Sequence, residues 1–178
     1  PQGDWSSDVC SSDLEFENGH VISYLYDADG IKLRTTHIIG SDTTVTDYCG
    51  NVIYENGIPV KLLTEAGYVT LADSKYHYFV QDHLGNNRVV VDQSGNVEEV
   101  NHYYPFGGLL SSSVSNAVQP YKYNGKELDR KNGLDWYDYG ARMYDAALGR
   151  WHAVDPMSEK YYSWSPYTYC MGNPINHI

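Results

Sequence analysis

The chain has 178 residues and a formal net charge of −11, from 23 acidic against 12 basic side chains; that length suits one domain or a piece of a larger protein and buries roughly two thirds of the unfolded surface. Phosphate recognition rests on clustered Lys and Arg, and none occurs, which argues against nucleic acid and anionic lipid as partners. No apolar run approaches the ~20 residues of a membrane-spanning helix, and Cys10, Cys49 and Cys170 are too few and too scattered for a disulfide framework or a zinc knuckle, so they read as packed free thiols.

Tyrosine dominates the aromatic content, with 18 Tyr against 3 Phe. Each packed ring therefore brings a hydroxyl that must reach water or a hydrogen-bond partner. Half-buried sheet surfaces suit such rings better than dry helix interfaces.

In chain order, the first segment stands apart. "DWSSDVCSSDL" (4–14) shares neither the tyrosine pattern nor the turn spacing of the remaining chain, and it resembles the in-frame translation of a sequencing adapter. Residues 1–14 are accordingly expected outside the fold, as a non-native or disordered N-terminus. The natural start of the protein is expected to be lost, so the lack of a visible export signal carries no weight.

From residue 15 the chain repeats a strand, a turn and a strand. "ISYLYDADGIKLRTTH" (22–37), "DYCGNVIYENGIPVKLL" (47–63), "YHYFVQDHLGNNRVVVDQSGNVEEVNHYYPFG" (76–107) and "YKYNGKELDRKNGLDWYDYG" (121–140) set tyrosine-rich strands before Gly/Asn/Asp turns. Tyr-x-Tyr occurs at 24/26, 76/78, 121/123, 137/139 and 167/169, and period-two spacing puts both rings of a pair on one strand face. The Asp-x-Asp-Gly, Glu-Asn-Gly, Gly-Asn-Asn and Ser-Gly-Asn stretches supply the residues that short hairpins require. Between these segments, "GGLLSSSVSNAVQP" (107–120) reads as a flexible loop. Helix formers gather only in 125–149, where Gly133, Gly140 and Gly149 limit them to a short turn or two. The fold class predicted is mainly β, an antiparallel meander whose tyrosine face is covered by stacking successive units.

The most specific string is "YDYGARMYDAALGRWHAVDP" (137–156). Together with "YHYFVQDHLGNNRVVVDQSG", "YYPFG", "YKYNGKELD" and "YSWSPYTYCMGNPINHI" it resembles the Rhs repeat-associated core domain, and the upstream "YLYDADGIKLR" is similar to a YD repeat; the resemblance covers most of residues 22–178. It implies YD-like repeats over 15–75 and a core domain over 76–178 that is truncated at its C-terminus. It also implies that the meander is part of a spiral β-sheet shell around a variable C-terminal toxin, closed by the core domain just ahead of that toxin. The positions that would carry the family's structural motif are Tyr137, Tyr139, Gly140, Arg142, Tyr144, Asp145, Gly149, Arg150, Trp151 and Pro156.

Asp155 invites a catalytic reading. Self-cleaving members of the family resembled here carry two Asp-Pro-x-Gly motifs whose aspartates act as an acid and a base, since neighbouring carboxylates cannot both ionise easily. This chain supplies half of such a pair: Asp155-Pro156-Met157-Ser158 has serine in place of glycine, and the second Asp-Pro is missing. The alternative is a turn residue, held extended ahead of proline and accepting backbone hydrogen bonds.

Other constellations are weaker. "YDADG" (26–30) has the first carboxylates of a calcium loop without the distal glutamate and reads as a hairpin turn. His77, His83 and His102 lack metal-ligand spacing, and His152 draws notice only for its place between Trp151 and Asp155. No cofactor or metal is expected. Three functions stay open: a structural shell fragment of a polymorphic toxin with no turnover of its own, an aspartyl self-cleavage module in the parent, and a surface adhesion or carbohydrate-binding module. The partners these imply are the protein's own C-terminal toxin, the secretion machinery or surface glycans, in a secreted or cell-surface bacterial setting.

Overall fold

The computed structural model describes residues 9–113 and 119–177. Ten strands follow one another in chain order as an open antiparallel meander: β1 (Val9–Glu15), β2 (Val21–Asp27), β3 (Lys32–Ile39), β4 (Asp42–Cys49), β5 (Val52–Glu55), β6 (Ile58–Thr64), β7 (Gly67–Thr70), β8 (Lys75–Gln81), β9 (Asn87–Asp92) and β10 (Val97–Val100). A second sheet holds β11 (Glu127–Asp129), β12 (Trp136–Asp138), β13 (Met143–Asp145) and β14 (Arg150–Trp151), again in chain order. Helical structure among the described residues is limited to four three-residue 3-10 turns, at Tyr123–Gly125, Lys131–Gly133, Ser158–Lys160 and Cys170–Gly172. Two compact units divide between His77 and Tyr78.

In the first unit, strict alternation on β2 buries Ile22, Tyr24 and Tyr26 on one face. Their neighbours across the ladder include Thr35 and His37 of β3, paired with Tyr24 and Ile22. The turns are built from aspartate: Asp27 Oδ1 accepts the amides of Asp29 (3.0 Å) and Ile31 (2.8 Å), while Gly30 N donates to Asp27 O. "YDADG" is thus a hairpin turn, with its first carboxylate spent on backbone amides.

Three expectations need correction. Residues 9–14, expected outside the fold, form most of β1, paired with β2 from Val9↔Asp27 to Glu15↔Val21. The physical reason is that an unpaired strand edge accepts any extended backbone, since the ladder is made of main-chain groups. The Tyr76/Tyr78 pair does share a face, but an exposed one (50% and 41%); His77 between them is buried instead, stacked on Tyr68 at 4.4 Å between ring centroids with its Nε2 2.7 Å from Thr70 Oγ1. Period two fixes which residues share a face and leaves open which face is covered. Finally, residues 107–113 are held rather than loose. Gly107 is buried, Tyr103 bridges Leu109, Leu110 N donates to His102 O, and Ser113 Oγ accepts from His102 N. The rest of that expected loop, 114–118, lies outside the described residues.

The core of the second unit is aromatic. Across the small sheet, Leu128, Tyr137, Tyr144 and Trp151 stand opposite one another in successive strands. Tyr123, Leu128, Tyr137, Tyr144 and Tyr169 form the buried centre, with Tyr103, Phe106, Leu109, Tyr139 and Trp151 packed against it. Around Trp151 the rings meet edge to face, as their quadrupoles prefer: Tyr139 against Trp151 at 5.1 Å and 88°, Trp151 against Tyr169 at 5.2 Å and 69°.

Candidate functional site

Burying so many phenols raises the question of where their hydroxyls go. Three of them end on three consecutive carbonyls: Tyr123 donates to Pro105 O (2.9 Å), Tyr144 to Phe106 O (2.7 Å) and Tyr137 to Gly107 O (2.9 Å). The Tyr-Pro-Phe-Gly bend is therefore pinned by residues 18 to 38 positions downstream. Tyr139 and Tyr169 share Asn124 Oδ1 (2.8 and 3.0 Å) and lie 3.0 Å from each other, while Tyr103 donates to Asn87 O. Burial pushes the phenols of Tyr103, Tyr137, Tyr139, Tyr144 and Tyr169 above their ordinary value, and Tyr123 up to about 12, because the ionised form would lose its hydration. Gly107 has φ +88°, and a Cβ there would sit 2.6 Å from the Tyr123 ring, so no other residue fits.

The structure places the motif residues around this panel. Asp145 Oδ1 accepts from Ala147 N (2.8 Å) and Leu148 N (3.0 Å), and Asp138 Oδ1 from Gly140 N (2.7 Å), so both aspartates fasten turns. Gly140 and Gly149 take φ +80° and +64°, and a side chain at Gly149 would press on Phe106 at 3.1 Å. The Arg142 guanidinium lies 4.2 Å from the Trp151 ring centroid, and exposed Arg150 reaches over Tyr167 at 5.7 Å. Pro156 is exposed. His152 stacks on Trp136 at 3.4 Å; its Nε2 is 3.5 Å from Asp145 Oδ2, within ion-pair reach but without hydrogen-bond geometry. Burial lowers its pKa, against the pull of Asp145.

Asp155 lines an open cleft of about 270 Å³ together with Arg142, Trp151, Tyr161 and Trp164. Its Oδ1 accepts from Met157 N (2.8 Å), its Oδ2 is 3.3 Å from Arg142 Nη1, its amide donates to Pro166 O, and its carbonyl accepts from Ser158 N. It is the only carboxylate lining the cleft among the described residues. Nor do three or more His, Cys, Asp or Glu side chains come together to hold a metal among those residues. Cys49 is exposed, and Cys170 is half-buried at the cleft with its thiol pKa raised by burial.

Sequence reading missed two features. One is the recurrence of a single turn: Asp82 and Asp92 repeat the geometry of Asp27, each accepting two amides through Oδ1 with a glycine three residues on. The Asp-x-x-Gly spacing carried that signal. The other is a buried polar cluster around Glu99, which no spacing announces.

An open antiparallel meander, braced by phenols and closed by aspartate turns, defines a structural β module of the YD type. Residues 61–171 match the model of the teneurin YD-shell, and the chain belongs to that family. It is similar to salivary gland surface protein 1 of Aedes aegypti, at 31% identity over 83% of this chain and 5% of that protein. It is also similar to toxin subunit YenC1 of Yersinia entomophaga, at 30% identity over 71% of this chain and 13% of the subunit. The fold is shared with the Tc holotoxin pore of Photorhabdus luminescens (TM-score 0.70, 20% identity, 94% of this chain and 10% of the other). A TcdB2–TccC3 crystal structure gives a TM-score of 0.69 at 19% identity, over 93% of this chain and 10% of that one. The chain thus spans no more than 13% of these relatives' length.

Proposed function

We propose that this chain is a wall and closing segment of a toxin-type shell that encloses a C-terminal cargo, exported to the cell surface or beyond, and that it performs no turnover itself. The observation that carries this reading is the clamp on residues 105–107. The most distinctive side chains of the chain, Tyr123, Tyr137 and Tyr144, are buried and spend their polar groups on its own backbone. Such side chains stiffen a wall; they are not held ready for a substrate or a sugar ring.

A structural role for Asp155 fits the same reading. Its Oδ1 closes a turn and its Oδ2 faces Arg142, where an acid-base pair needs a second carboxylate.

Limited proteolysis of the intact parent protein tests the proposal. Sequence downstream of residue 178 should resist protease while the shell is folded and become cleavable once it is denatured. Equal cleavage rates in both states would refute enclosure.

A further inference from the structure

Glu99, next to last in β10, is fully buried, and so is Asn101, one residue past the end of the strand. Gln119 and Lys122 close over them with 3% and 2% exposure. Three nitrogens converge on one carboxylate oxygen: Lys122 Nζ (2.6 Å), Asn101 Nδ2 (2.5 Å) and Gln119 Nε2 (3.0 Å) all meet Glu99 Oε1. The Asn101 amide is also held by Asn87 O at 3.0 Å, and the backbone of Lys122 is pinned by Asn87 N to its carbonyl. Three acceptors of the cluster remain without a donor, Glu99 Oε2, Asn101 Oδ1 and Gln119 Oε1.

This arrangement is costly as an ion pair, since both charges have left water. It holds an amine, a carboxyl proton carrier and a primary amide against one another in a dry site, the elements of an amide exchange. We propose that Lys122 and Asn101 join in an intramolecular isopeptide bond, with Glu99 as the proton shuttle.

The balance is complete without a co-reactant. Lys122 gives one proton to Glu99, and the neutral amine adds to Cγ of Asn101. As the Nζ–Cγ bond forms, the Cγ–Nδ2 bond breaks, and Nδ2 leaves with a second lysine proton as ammonia. The third stays on the new amide nitrogen, and the first remains on Glu99 as a neutral acid. Two buried charges are replaced by neutral groups, and the acid gains an O–H to donate where an acceptor lacks one. Asn101 is preferred over Gln119 because its amide lies closer to the shared oxygen and its leaving nitrogen is held from two sides. The bond would tie the end of β10 to the strand-like segment ahead of the turn at Tyr123–Gly125, closing a covalent loop across residues 101–122.

Mass spectrometry of the full chain decides. The denatured protein should weigh less than its sequence by one ammonia, and proteolysis should yield a branched peptide linking Lys122 to Asn101. Cyclisation at an Asn-Gly step also sheds ammonia but gives no branch. Glu99→Gln keeps the size of the side chain and removes the shuttle, so it should restore the full mass and two linear peptides. Unmodified linear peptides bearing Lys122 and Asn101 in the natural sequence would overturn the proposal, whether or not the variant folds. A branch at Gln119, or an undiminished branch in Glu99→Gln, would overturn it as well.

Discussion

Raising the pH should unfold the second unit through its tyrosines. Six phenols, Tyr103, Tyr123, Tyr137, Tyr139, Tyr144 and Tyr169, are pushed by burial above the ordinary value of 10.0. A raised acid holds its proton in the folded chain after the unfolded chain has lost it. The stabilisation is therefore fully present below pH 10 and falls as pH rises through the window from about 10 to about 12 that Tyr123 defines. A group ionised only in the unfolded state costs about 1.4 kcal/mol per pH unit. Six of them remove about 8 kcal/mol by about pH 11, on the scale of the about 5–15 kcal/mol that holds a whole domain. Tyrosinate absorbance followed together with near-ultraviolet circular dichroism should show a steep ionisation of the six buried rings that coincides with loss of the aromatic signal. A single smooth titration near 10 with the dichroism intact would refute the argument, because it would mean the hydroxyls are reachable in the folded chain.

Two substitutions probe the same panel and its rim. Gly107→Ala puts a methyl 2.6 Å from the Tyr123 ring at φ +88° and should destabilise by about 3 kcal/mol in urea unfolding, combining backbone strain with overpacking. Asp155→Ala removes the acceptor for Met157 N and should cost about 1 kcal/mol, whereas Asp155→Asn keeps an acceptor and should stay within about 0.5 kcal/mol; equal losses would assign the role to the Arg142 pair instead.

Much of the meander was legible because Tyr24 and Tyr26 obey period two and Asp27 to Gly30 announce their turn. What failed was sidedness without a partner in view. Tyr76 and Tyr78 carry the same spacing as Tyr24 and Tyr26, yet His77 takes the covered side because Tyr68 is there to stack on it. Residues 107–113 read as loose by composition, but composition does not reveal the Tyr137 hydroxyl arriving at Gly107 O. The Glu99–Lys122 pair was equally hidden, since two opposite charges 23 positions apart have no periodicity to betray them. Asp155 was readable as a turn residue from Asp-Pro alone, whereas its Arg142 neighbour was not.

The downstream origin of the phenols that grip Pro105, Phe106 and Gly107 has a consequence for biosynthesis. A nascent chain exposes that bend long before Tyr144 has left the ribosome. The Pro105 carbonyl meets its donor 18 residues on and Gly107 its donor 30 on, but until Tyr144 emerges the Phe106 carbonyl has only water to bind. Completing the grip waits for a stretch of 38 residues, which makes this half of the molecule finish assembling late.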